Sequence, residues 1–157
     1  MNLNAQPYAV RQCLTIKSNI MERRFNFTSQ ICTTKEQSER LLALGLKKET
    51  ADCCWSFNIG VYDESRRYTL VLGKCEYMHD IPAWSLHRLI EMMPTYIDVV
   101  GDEWTLNIIQ GKLIAYTTDE NDDFLAAQAA KSLYDSIICT IEWLIQAGHF
   151  NNEYLEE

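Results

Sequence analysis

Tyr96-Ile97-Asp98-Val99-Val100-Gly101-Asp102-Glu103-Trp104-Thr105-Leu106-Asn107-Ile108-Ile109-Gln110-Gly111-Lys112-Leu113-Ile114-Ala115-Tyr116-Thr117 is the stretch whose reading decides the fold. Two glycine-bearing breaks divide it into three short runs. Tyr96–Val100, Trp104–Ile109 and Lys112–Thr117 are expected strands. Gly101-Asp102-Glu103 supplies the first turn and Gln110-Gly111 a tight second one. Strands joined this closely pair antiparallel.

Upstream, Pro82 suits the first turn of a helix over Ala83–Met93, which Pro94 ends. Leu86, Leu89, Ile90 and Met93 fall at the spacing of a core-facing stripe. Trp55–Tyr62 and Tyr68–Leu72 read as a hairpin across the polar link Asp63–Arg67. Before it, Thr33 with Glu36 and Thr34 with Gln37 form two overlapping capping boxes for a short helix, and Gly45 stops it. Lys48–Asp52 adds a helical turn. Downstream, Thr118–Asp123 is an acidic loop. A long helix is expected from Phe124 to Ala147, with Ala126, Ala130, Leu133, Ile137, Ile141 and Leu144 as its buried stripe and Gly148 as its C-cap. Two short strands are expected in Tyr8–Ile20 and Arg24–Cys32. The sum is an α+β fold: an antiparallel sheet of about five strands packed against the long C-terminal helix and one or two shorter helices. The 157 residues suit a single domain, with 1–7 and 151–157 as loose termini.

Charge narrows the partners. The chain carries a net charge of −8, and residues 101–157 hold eleven acidic side chains against Lys112 and Lys131. That balance opposes general nucleic-acid binding, which needs basic surface, and favours a partner protein with a basic surface. The longest apolar stretch, around Ile137–Ile145, is interrupted by Thr140 and Glu142, so no membrane association is expected. Met1–Val10 has no apolar core of a secretory signal. The expectation is therefore a cytoplasmic chain whose six cysteines, Cys13, Cys32, Cys53, Cys54, Cys75 and Cys139, are reduced thiols.

Catalytic motifs are missing. There is no phosphate-cradling glycine loop and no nucleophile elbow, and six scattered glycines could not build a cradle. Cys75-x-x-x-His79, with Cys53-Cys54, is the best metal constellation, yet adjacent cysteines on a strand face opposite ways and weaken it. His87 and Glu91 stand at i and i+4, a solvent-facing helical pair before they are a metal site. Cys75, His79 and Asp80 contain the residue types of a nucleophilic triad without any sign of its geometry. No catalytic residue and no cofactor is assigned, and the balance falls against an enzyme.

Binding candidates remain. Asp119, Glu120, Asp122 and Asp123 place negative charge ahead of the C-terminal helix, where it favours the helix dipole and could also meet a basic partner. Trp84 would anchor a partner if exposed, although tryptophan is ordinarily buried. Arg66 and Arg67 could hold phosphate or carboxylate groups, the ordinary reading being solvated loop charges.

The segment Ile81-Pro82-Ala83-Trp84-Ser85-Leu86-His87-Arg88-Leu89-Ile90-Glu91-Met92-Met93-Pro94 resembles one in small uncharacterised proteins of gut Bacteroides and their phages. Thr34–Leu46, Thr50-Ala51-Asp52 and the ending with Glu142-Trp143-Leu144, Gly148 and an acidic tail fit the same group. The resemblance implies a bacterial cytoplasm and a phage or mobile-element setting. It brings no activity and no site residues.

Three readings compete. The first is a non-enzymatic interaction protein, a host-directed inhibitor or adaptor using an acidic C-terminal surface. The second is a binder of a small ligand or nucleotide signal, which needs a Trp- or Tyr-lined pocket with an arginine. The third is a small hydrolase or metal enzyme using Cys75, His79 or His87. A homo-oligomer is compatible with any of them.

Overall fold

The computed structural model describes residues 29–60, 62–63, 67–109, 113–118 and 123–157. The strands expected over Tyr8–Ile20 and most of Arg24–Cys32 lie outside them. Chain contacts separate Met1–Gln30, of which only Ser29 and Gln30 are described, from a compact unit Ile31–Glu157 that holds every element below.

In order, that unit contains helix α1 (Lys35–Ala43), a 3-10 turn (Lys48–Thr50), strands β1 (Cys53–Phe57), β2 (Tyr68–Leu72) and β3 (Ile81–Ala83), and helix α2 (Leu86–Met92). Strands β4 (Tyr96–Val99), β5 (Asp102–Ile109), β6 (Leu113–Thr117) and β7 (Phe124–Ala129), helix α3 (Leu133–Ala147) and a 3-10 turn (Asn152–Tyr154) follow. The α+β class holds. The strands form two antiparallel sheets among the described residues, in orders β2-β1-β3 and β4-β5-β6-β7, where one sheet of about five was expected. The division follows from α2, which stands between β3 and β4 and ends the first set of pairings.

Local chemistry explains most boundaries. Thr34 caps α1: its hydroxyl accepts from the Gln37 N–H, and the Gln37 amide accepts from the Thr34 N–H. The overlapping box on Thr33 is not used, because Thr33 is buried against Ser38 and Trp84. Gly148 closes α3 in the left-handed conformation at φ 75°.

Two helix expectations are corrected. Pro82 lies in β3, opposite Cys54, on an edge strand where its missing N–H is tolerated. Helix α2 starts only after Ser85, whose hydroxyl accepts from the Arg88 N–H. Likewise the stretch Phe124–Ala147 is not one helix. Phe124–Ala129 pairs with β6 despite its alanines, and Ser132 caps the shorter α3. Pairing along an open sheet edge overrides an intrinsic helix preference worth only tenths of a kcal/mol per residue, about 0.7 at most.

The core falls into two clusters, a small one of Cys32, Cys53 and Ala83 backed by Trp55 and Leu70, and a much larger one. Ile137, Ile138, Ile141 and Leu144 of α3 pack with Ile114 and Tyr116 of β6 and with Leu41, Trp84 and Leu89. The acidic tail, expected to be loose, is tied to the end of α1. Leu155 bridges Leu46, Lys47 N–H donates to the Tyr154 carbonyl at 2.9 Å, and Glu156 N–H donates to the Gly45 carbonyl at 2.8 Å.

The cysteine expectation is also corrected. Cys32 is paired with Cys53 (Cα–Cα 6.8 Å) and Cys54 with Cys75 (Cα–Cα 5.4 Å). Adjacent residues on a strand point to opposite faces, so the neighbours on β1 form bridges in opposite directions. Cys139 is a half-buried thiol without a disulfide.

Candidate functional site

The β4–β5 hairpin concentrates the features that packing does not explain. Its register sets Asp98 directly opposite Glu103 and Val99 opposite Asp102, leaving a two-residue loop of Val100 and Gly101. Both loop residues have positive φ, 59° and 91°, as the tightest hairpin turns require. The turn is thus one residue earlier than the expected Gly101-Asp102-Glu103, because Asp102 and Glu103 belong to β5.

Glycine takes this conformation freely, but valine does not. A β-branched side chain at φ 59° is a genuine outlier. Val100 is also 98% exposed, so no burial repays its strain. Around it stand the exposed carboxylates of Asp98, Asp102 and Glu103. Asp98 is partly engaged, accepting from the Gly101 N–H at 3.2 Å. Like charges facing each other across a strand pair are unfavourable. Tyr96, 61% exposed, continues the face that carries Asp98. The inward face of the same strands carries Ile97, Val99, Trp104 and Leu106 into the core. The tip therefore offers one bare apolar side chain, three carboxylates and a nearby tyrosine.

The binding candidates named from the sequence do not assemble into one site among the described residues. Trp84 is fully buried, with its indole N–H donating to Thr50 Oγ1 at 2.9 Å, so it is a core residue and no surface anchor. His87 is exposed and pairs with Glu91 at 3.0 Å along α2, the ordinary helical arrangement. Asp123 is exposed at the start of β7, and its carbonyl accepts from the Thr118 N–H. Arg67 is half-buried, and its carbonyl accepts from the Asn58 N–H at 2.7 Å. Asp119, Glu120, Asp122 and Arg66 lie outside the described residues.

A second cluster sits beside β1. The ligand atoms of Cys54, Cys75 and Asp80 all lie within 4.8 Å of one another. His79, expected as the partner of Cys75, instead sets its ring against Phe57 at 5.6 Å. Asp80 accepts from the N–H groups of Phe57 (2.9 Å), Tyr77 (3.1 Å) and Glu76 (3.2 Å). Burial alone would raise its carboxyl, but these bonds and the Ser56 side chain hold it below the usual carboxylate range. A cavity of about 470 Å³, with Lys48, Lys74, Cys75, Tyr77, Asp80 and Pro82 in its wall, adjoins the cluster.

Sequence reasoning missed Val100 and Asp98. The signal was present: shifting the turn by one residue places a valine where asparagine is favoured. No family model, curated protein or solved structure matches this chain.

Proposed function

We propose that this protein is a non-enzymatic interaction protein, of the host-directed inhibitor or adaptor kind carried by phages and mobile elements. It engages a partner with a basic surface through its acidic C-terminal third, with the β4–β5 tip as the contact. The observation that carries this reading is the exposed Val100 among Asp98, Asp102 and Glu103. An apolar anchor ringed by carboxylates suits a partner with an apolar recess rimmed by lysine or arginine. Further exposed carboxylates at Asp123, Glu153, Glu156 and Glu157 add negative charge to the same third of the sequence.

The small-ligand reading gains less. Among the described residues, the cavity beside β1 has Tyr77 and two lysines in its wall but no arginine or tryptophan, the combination that would stack a base and grip its phosphates. The cytoplasmic setting belongs to the proposal too, and the paired cysteines bear on it. Cystines persist in oxidising compartments, whereas a reducing cytosol keeps thiols open.

The test is affinity capture from a bacterial host lysate at low and moderate salt, using the wild-type chain and a Val100→Ser/Asp102→Asn/Glu103→Gln variant. A specific partner held by wild type, weakened by salt and lost by the variant supports the reading. A partner retained equally by both, or none retained by either, overturns it.

A further inference from the structure

The cluster of Cys54, Cys75 and Asp80 has the chemistry of a thiophilic metal site. Two sulfurs and a carboxylate oxygen lie within 4.8 Å of one another. In a tetrahedral zinc site, bonds of about 2.3 Å to sulfur and 2.0–2.2 Å to oxygen put the ligand atoms roughly 3.5–3.8 Å apart. The two sulfurs, bonded to each other in the disulfide, must first separate to reach that spacing, and the Asp80 oxygen already lies within 4.8 Å of both. The donors also come with their supports. Asp80 is held by three backbone N–H groups from Phe57, Glu76 and Tyr77, the outer-shell orientation that ligating carboxylates use. Cys54 is fully buried on β1, which fixes its position. Cys75 and Asp80 both border the cavity, so an ion has a route in and a water has room to bind it.

We propose that reduction of the Cys54–Cys75 disulfide creates a zinc-class site with these two thiolates and the Asp80 carboxylate as ligands and a water from the cavity in the fourth position. A thiol reductant attacks the Cys75 sulfur from the cavity. Two electrons and two protons pass to the cysteines as two thiols, and the reductant's own sulfurs form a disulfide. The divalent ion then displaces both thiol protons to solvent, and no electron moves in that step. Two thiolates and one carboxylate leave the loaded site with one net negative charge, in a cavity wall where Lys48 and Lys74 are matched by Glu49 and Glu76. The same three residues thus join β1 to the segment before β3 in either redox state, by a covalent bond when oxidised and through the ion when reduced.

The test uses the full chain, reduced with a phosphine so that no added thiol competes for metal. Cobalt(II) is titrated first and zinc(II) second. One cobalt per chain, with the intense visible bands of tetrahedral thiolate coordination that vanish on adding zinc, is expected. X-ray absorption at the zinc edge of the wild-type protein should show two sulfurs at about 2.3 Å and two oxygens at about 2.0–2.2 Å. Cys75→Ala should abolish binding, and Asp80→Asn should weaken it by about tenfold or more. Cys32→Ala/Cys53→Ala should leave it intact. Failure of the reduced wild type to take up metal, a zinc edge showing four sulfurs or none, or wild-type affinity in Cys75→Ala would overturn the proposal. The edge measurement needs no variant, so a misfolded mutant does not leave the question open.

Discussion

Replacing Val100 with asparagine should make the protein more stable and a poorer binder. Val100 is 98% exposed, so the substitution surrenders almost no buried apolar surface. What changes is the backbone. At φ 59° an ordinary L-residue costs about 1–2 kcal/mol relative to the right-handed region, and asparagine escapes much of that through local hydrogen bonding. Asn followed by Gly101 is also the preferred pair for a two-residue hairpin loop with both φ positive. The expected gain is about 1 kcal/mol. For a chain of this size it raises Tm by about 2–4 °C. Thermal and urea unfolding followed by circular dichroism give the value. Capture of the basic partner by the same variant gives the other half. A variant no more stable than wild type would refute the strain argument. Unchanged partner capture would refute the claim that this side chain is retained for binding.

Other parts of the structure make equally definite predictions. Each disulfide spans 21 residues, and the two loops do not overlap, so the loop-entropy estimate is about 3 kcal/mol for each and roughly additive. Cys32→Ala/Cys53→Ala and Cys54→Ala/Cys75→Ala should both show that loss in urea unfolding; alanine avoids burying a hydroxyl at Cys32 or Cys53. Trp84→Ala should cost about 3–5 kcal/mol, since the indole is fully buried and bonded to Thr50. A loss under 1 kcal/mol would show that Trp84 is not part of the core. Burial raises the pKa of Tyr116 above the usual 10.0. The neutral phenol's contribution is then complete below about pH 10 and is lost as pH rises beyond it, by up to about 1.4 kcal/mol per pH unit. Stability measured from pH 9 to 11 should fall in wild type and fall less steeply in Tyr116→Phe.

Features governed by near neighbours were legible in the sequence. Thr34 with Gln37, Gly148 after α3, the strand Tyr68–Leu72 and the three-strand meander all depend on residues a few positions apart. The misreadings depend on distant ones. Ala126 and Ala127 favour a helix until β6 offers them a ladder. Trp84 belongs inside because its backbone N–H donates to Thr33, 51 positions away, and its indole to Thr50, 34 positions away. The cysteine pairs were hidden for a related reason. The opposite faces of Cys53 and Cys54 count against a shared metal site, and that argument stops short of what each could reach by itself. Opposite faces are what allow each to reach a cysteine 21 residues off, one before it and one after.

The frame and the tip differ in kind, and that contrast supports placing the interaction at the tip. Around β1 and β3 the polar groups are paired. Thr33 N–H donates to the Trp84 carbonyl, Trp55 Nε1 to the Thr33 carbonyl, and both the N–H and the hydroxyl of Ser85 to Asp52. Two disulfides reinforce that region. The β4–β5 pair instead gathers a valine in a glycine conformation, carboxylates facing each other across the ladder, and a buried Trp104 indole N–H with no partner among the described residues. Each departure costs stability, and local rules broken together are most often found where a protein meets something else. A basic partner at the tip would neutralise the carboxylates and cover Val100, relieving two of the three costs on binding. A purely structural hairpin would gain from Asn-Gly at the turn and a lysine opposite Asp98, so retaining neither is what a binding role predicts.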